Sequence, residues 1–173
     1  MRLETSRLEL IAATADLAQA ESQDRELLMS LLGVFLPEGW PPPLTEDRVE
    51  FNAKRLEQHP HEAGWWFWYI VSRESSQHVA VGVASFKGPP SETGTVEVGC
   101  SVLEPFQGRG YATEAVAALV SWAFTHSQVT TVLAESYPDL KASIRVLEKN
   151  GFQKIGPGSE PGVIRFSLRR STG

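Results

Sequence analysis

The amino-acid sequence predicts one mixed α/β domain spanning residues 1–173. Three observations predict it: strand-like runs alternating apolar and polar residues, helix-like runs with apolar residues every three or four positions, and interleaving of the two without repeats or low-complexity tracts. The chain has 173 residues, 42% hydrophobic and 21% charged, enough length and apolar content for a buried core.

The first strand is read in "RLELIAA" (7–13). Helix in two pieces follows over 14–33, where Leu27, Leu28, Leu31 and Leu32 fall at helical spacing. "LPEGWPPPL" (36–44) fits neither element, because Pro41, Pro42 and Pro43 remove backbone donors and fix φ. Thr45 then offers an N-cap to a helix with Val49, Ala53 and Leu56 on one face. "WWFWYIVSR" (65–73) and "HVAVGVASF" (78–86) read as a hairpin across the polar "ESSQ". In "GTVEVGCSV" (94–102), Val96, Val98, Cys100 and Val102 alternate with Glu97, Gly99 and Ser101, the pattern of a strand with one buried face. Ala112, Ala115, Val116, Leu119, Val120 and Ala123 form the stripe of a helix over 111–124. A strand at 129–135, a helix at 139–150 closed by Lys149 and Gly151, and an antiparallel pair from 152–156 and 163–170 complete the domain.

Composition narrows the function. A formal net charge of -5 argues against general nucleic-acid binding, although Arg165, Arg169 and Arg170 cluster near the C-terminus. The single cysteine, Cys100, excludes an internal disulfide and a multi-cysteine zinc site, and its alternating strand predicts burial. His59, His61, His78 and His126 read as surface groups, and no metal is expected. The N-terminus lacks the apolar core of a signal peptide and no stretch approaches 18 apolar residues, so a soluble, cytoplasmic protein off the membrane is expected.

The chemistry centres on "FQGRGYATEA" (106–115), which places Gly108 and Gly110 at the mouth of a helix. The first amides of a helix lack internal partners and carry partial positive charge, so the bare main chain over 108–113 suits a phosphate or pyrophosphate. Arg109 and Thr113 add a charge and a hydroxyl. A tight turn alone also accounts for two glycines between strand and helix. No Gly-Lys-[Ser/Thr] follows, which excludes a P-loop. A dinucleotide (NAD-type) fold is a further alternative, with Glu135 near the ribose-binding position, but Thr113 replaces its third glycine and "LEPFQ" separates strand from turn.

These residues resemble the GNAT superfamily of acyl-CoA-dependent N-acetyltransferases. In "QGRGYA", Gln107, Gly110 and Ala112 fill the positions of its Q/R-x-x-G-x-G/A loop, and "SIRVLEKNGF" (143–152) is similar to its second signature. "LETSRLEL", "VEVGCSV" and "GRGYATEA" resemble the branch containing ribosomal-protein N-terminal acetyltransferases. The resemblance spans the chain except about 25–70, and residues 34–68 are expected to form a variable acceptor-side segment. It implies a mixed sheet of about seven strands, splayed at the middle and flanked by helices. Acetyl-CoA would lie in the splay, its pantetheine against Ser101 and Val102, its pyrophosphate on Gly108, Arg109, Gly110, Tyr111, Ala112 and Thr113, with Gln107 and Ser143 nearby. Two positions depart from the pattern: Leu140 stands where many members have Asn, and Leu147 where many have a Tyr that protonates the departing thiolate.

The implied reaction is attack of an amine on the thioester of acetyl-CoA. Ser143 is the candidate acid, or a serine satisfying its own helix. Glu97 is the candidate base, or a salt-bridged strand residue. At pH 7 a lysine costs roughly 4.6 kcal/mol to deprotonate and an α-amine about 1.4 kcal/mol, which favours an α-amine or another low-pKa primary amine. Trp40, Trp66 and Trp68 are the candidate acceptor walls, and an acidic protein suits a cationic acceptor, either a small molecule or a peptide N-terminus. A non-catalytic acyl-CoA-binding or sensing domain is the alternative on the same fold. Monomer and homodimer are both compatible, with the tryptophan-rich segment as a dimer face.

Overall fold

The computed structural model describes residues 1–43 and 48–171, so the N-cap expected at Thr45 lies outside the described residues. Along the chain, β1 (Arg2–Glu4) and β2 (Leu8–Ala12) precede α1 (Ala15–Gln23), α2 (Arg25–Leu32) and α3 (Val49–Gln58). Then come β3 (Phe67–Ser72), β4 (Val79–Phe86), β5 (Thr95–Val102), α4 (Tyr111–Thr125), β6 (Thr131–Ser136), α5 (Lys141–Lys149), β7 (Gln153–Pro157) and β8 (Ile164–Arg169). The strands form one eight-stranded sheet in the order β1-β2-β3-β4-β5-β6-β8-β7. The eighth strand relative to expectation is β1, whose three residues are too few to display alternation.

Local chemistry accounts for the helix ends. Thr14 Oγ1 caps α1 by accepting from Leu17 N, and Asp24 Oδ1 caps α2 by accepting from Leu27 N at 3.0 Å. Gly33, at φ 70°, ends α2, and Gly151, at φ 81°, follows α5 as its spacing predicted. The two faces of the sheet carry separate cores. One packs Leu8, Leu10, Trp68, Ile70, Val96 and Val98 against Ala115, Val116, Leu119 and Ala123 of α4 and Leu147 of α5. The other packs Ile11, Phe67, Tyr69, Val71 and Val83 against Ala18 of α1, Leu28 and Leu32 of α2 and Leu56 of α3.

Pairing within the sheet is antiparallel except between β5 and β6. That parallel contact is short: Thr95, Val96 and Glu97 pair with Thr131, Val132 and Leu133, and there it ends. Past this point β5 stays on β4 through the pairs from Phe86↔Val98 to Gly82↔Val102, while β6 stays on β8 through Ser136↔Ile164. The sheet therefore splits along one seam, leaving an open edge on each half.

Gly82 lets β4 follow β5 along the split. A Cβ built at Gly82 would stand 2.5 Å from the Ser101 carbonyl oxygen and 3.0 Å from Val102 Cα, both backbone atoms. Gly82→Ala is therefore expected to lower stability by about 2 kcal/mol, in the range for overpacking, as read from urea denaturation midpoints at unchanged m-value.

Candidate active site

The split exposes backbone groups of known identity. Leu103 N donates to Val81 O and Lys87 N donates to Glu97 O, which fixes the alternation between β5 and β4. By that alternation Gly99 and Ser101 direct their N–H and C=O groups at β4, whereas Cys100 and Val102 direct theirs into the gap left by β6. Of the two residues expected to meet a pantetheine arm, only Val102 has its backbone on the open edge; its neighbour there is Cys100. Gln107 Nε2 donates to Val102 O at 2.9 Å, so the glutamine of the loop signature fastens the turn to the end of β5.

The turn itself has the open main chain its glycines predict. Gly108 and Gly110 sit at φ 74° and 83°, a region that side chains disfavour, and a Cβ at Gly108 would meet nothing within 4 Å. The first amide of α4 with an acceptor is Glu114, whose N–H donates to Gly110 O at 3.0 Å. Among the described residues, the six amides from 108 to 113 have none. They stand beside the open edge of β5, charged in the sense that favours an anion. Around them, the Arg109 guanidinium lies 5.5 Å from the Phe106 ring, Thr113 leaves its hydroxyl free while its carbonyl accepts from Asn150 Nδ2, and Ala112 is half-buried. Tyr111 contributes only its amide, because its side chain is buried and its hydroxyl binds Glu74 and Ser72.

Side chains of Val96 and Val98 enter the core under α4, so Glu97, Gly99 and Ser101 face the side of α1 to α3. Glu97 Oε1 pairs with the Lys87 ammonium. Ser101 Oγ donates to Pro43 O at 3.4 Å, which brings the proline stretch against β5 at the split. Ser143 lies half-buried in the first turn of α5. Leu147 is buried in the core and Leu140 is exposed at the start of α5, a helix with no side-chain cap.

The three expected acceptor walls separate. Trp68 is completely buried, with Nε1 donating to Gly64 O at 2.7 Å, so it is core and presents no surface to a substrate. Strand alternation sends it to the opposite face from Tyr69. Trp40 and Trp66 are half-buried. Trp40 stacks on Tyr69 and donates to Glu21 Oε1 at 3.0 Å, while Trp66 donates to Glu62 Oε2 at 2.7 Å beneath the Arg55 guanidinium. Burial pushes Glu21 above the usual carboxylate range against the opposing hydrogen bonds of Tyr69 and Trp40.

Cys100, expected in the core, is open to solvent because β6 has already left it. His126, expected at the surface, packs its ring on Trp65 and Trp122, whereas His59 and His61 meet edge to face. Donor atoms of His59, His61 and Glu62 lie within 4.8 Å of one another, but both Glu62 oxygens already accept from Arg55. Glu135 is likewise occupied, by Arg165 and Ser159. With a mostly antiparallel sheet around it, this removes the NAD-type alternative.

One cluster escaped sequence reasoning. Glu114, in the first turn of α4, accepts from Thr5 Oγ1, Ser6 Oγ, Arg7 N and Arg7 Nε. Its signal was present as two quoted stretches, "LETSRLEL" and "GRGYATEA", whose coupling no local pattern reveals.

This arrangement is a sheet split beside a glycine turn of free amides, the open edge of β5 and the turn meeting at one place. The family model for the acetyltransferase (GNAT) domain matches residues 7–153, and the chain belongs to that family of acetyltransferases. An N-acetyltransferase described as uncharacterized, YjdG of Bacillus subtilis (strain 168), is 29% identical over 150 residues, covering 87% of this chain and 88% of that protein. Among solved structures, a ribosomal-protein-S5-alanine acetyltransferase from Vibrio fischeri superposes with a TM-score of 0.67 at 19% identity, covering 99% of this chain and 98% of that one. RimL, a ribosomal L7/L12 α-N-protein acetyltransferase in complex with coenzyme A, superposes with a TM-score of 0.65 at 19% identity and 98% coverage of both chains. Among the described residues no helix is long and apolar enough to cross a membrane.

Two carboxylates make the domain sensitive to acid. Arg55 above all, with Trp66, holds Glu62 at about 2 against burial. Burial alone would raise Glu114, but hydrogen bonds from Thr5, Arg7 and Ser6 outweigh it and hold this group at about 2 as well. Both lie below the ordinary 4.5, so their stabilisation is complete above pH 4.5 and is lost as pH falls through 2. Urea midpoints are expected to fall across that window, and to fall less steeply in Glu62→Gln.

Proposed function

We propose that the protein transfers the acetyl group of acetyl-CoA to a primary amine, with a protein N-terminal α-amine as the favoured acceptor and a small cationic amine as the second class. The observation that carries this reading is the row of six unengaged amides beside the open edge of β5. The amides fit a diphosphate: they are consecutive, the glycines leave the cradle unfilled, and Arg109 and Thr113 flank it. Gln107 supports the turn. The Val102 amide and the Cys100 backbone on the same open edge suit the amide-bearing pantetheine arm, while Ser101 faces the acceptor side.

Coenzyme A supplies the acetyl group as an activated thioester, and the chain's own residues hold the reactants and move protons. Glu97 lies on the acceptor face, where its second oxygen, free of Lys87, takes the proton of the ammonium directly or through water. Ser143 protonates the departing thiolate in place of the tyrosine that Leu147 replaces. A base already engaged with a lysine favours an amine that loses its proton readily, which supports the α-amine over internal lysine. The acceptor approaches past residues 34–68, along Trp40, Trp66 and the proline stretch. Names of the structural relatives, which act on ribosomal proteins, point the same way.

Calorimetry with coenzyme A tests the donor site: saturable binding is expected, weakened about tenfold or more in Gly108→Val, because a β-branched residue disfavours the positive φ that gives the turn its shape. No uptake at millimolar coenzyme A would overturn the reading. A thiol-release screen with acetyl-CoA is expected to favour α-amine peptides over Nε-lysine, and turnover is expected to fall about 100-fold in Glu97→Gln and about tenfold in Ser143→Ala. Unchanged turnover in either variant removes that residue's role while leaving the donor site in place.

A further inference from the structure

We propose that Arg7 and Glu114 are positioning residues that aim the amide cradle, and so set affinity for the diphosphate of the donor without touching it. The proposal rests on the coenzyme A reading above. Arg7 reaches three parts of the turn at once. Its Nε donates to Glu114 Oε2 at 2.8 Å, its Nη2 pairs with the same oxygen at 2.8 Å, and its Nη1 donates to the Arg109 carbonyl at 2.9 Å. Its guanidinium carbon lies 5.0 Å from the ring centre of Tyr111, a side chain fixed in the core.

The Arg109 carbonyl is the informative contact. It shares a planar, trans peptide unit with the N–H of Gly110, so holding the oxygen towards Arg7 turns that N–H the opposite way. Glycines flank Arg109 on both sides at positive φ, and glycine restrains its own dihedrals least of all residues. The direction of this part of the cradle is therefore set from outside the turn. A Cβ at Gly110 would stand 3.3 Å from an Arg7 terminal nitrogen, which shows how closely the guanidinium is applied to the loop.

Glu114 holds Arg7 in place. One of its oxygens accepts from Thr5 Oγ1 at 2.5 Å, Ser6 Oγ at 3.1 Å and Arg7 N at 2.9 Å, and the other takes the guanidinium. With both oxygens engaged, this carboxylate has no capacity left for chemistry, and its charge is balanced by Arg7. The pair thus acts through geometry, and a single charge at position 7 without the planar fork does not replace it.

The test compares two donors with the same thioester, acetyl-CoA and acetyl-pantetheine, of which only the first has the diphosphate. In Arg7→Lys, Arg7→Gln and Glu114→Gln, KM for acetyl-CoA and Kd for coenzyme A are expected to rise about tenfold, while kcat at saturation, KM for the amine and kcat/KM with acetyl-pantetheine stay within about twofold of wild type. Proportional losses with both donors would mean a general structural role and would overturn the proposal. Full affinity in Arg7→Lys would overturn it too, because charge alone would then suffice. If Glu114→Gln does not fold, the two Arg7 variants carry the test. Failure of the wild type to bind coenzyme A is a separate result that removes the donor reading itself, and this proposal with it.

Discussion

The parting of β5 from β6 after Glu97 and Leu133 is the constraint on which the other features depend. Up to that pair the sheet is continuous; beyond it each strand keeps only its outer neighbour. A β-strand stripped of one partner presents unpaired N–H and C=O groups, which buried structure ordinarily avoids. Here the exposed edge belongs to Cys100 and Val102, and the next segment turns through two glycines into a helix whose first amides are also free. The free amides of the turn and the edge of β5, where Gln107 already takes up the Val102 carbonyl, thus converge on one cleft, which is a reason to expect a ligand with both an anionic and an amide-rich part.

The segment before β2 completes this cleft. Residues 5–7 are over a hundred positions from Glu114 in sequence, yet their donors converge on its carboxylate. The N-terminal edge of the sheet is thereby tied to the start of α4, on the face that α4 and α5 cover, while the opposite face belongs to α1, α2 and α3.

Much of this was legible in the sequence, for physical reasons that differ by element. β5 and α4 each bury one face, so Val96 and Val98 or Ala115 and Leu119 leave a periodic trace. Gly108 and Gly110 were readable because the backbone they adopt disfavours side chains. Long-range register leaves no such trace, so the exposure of Cys100, which follows from the departure of β6, ran against its alternating pattern. Trp40, Trp66 and Trp68 are chemically alike, and only their places relative to strand and core separate a buried Trp68 from the half-buried other two. The Glu114 cluster had its parts visible and its contacts hidden, since no local period joins residues so far apart.

The stretch from Leu36 to Pro43 is fastened at several points. Arg25, the first residue of α2, donates to the carbonyls of Leu36 and Pro37; Trp40 holds Glu21 of α1; and Pro43 meets Ser101 of β5. Such a stretch does not swing as a free flap. Displacing it means loosening its hold on β5 or carrying the first two helices along with it, so the freedom of this border of the sheet is tied to α1 and α2.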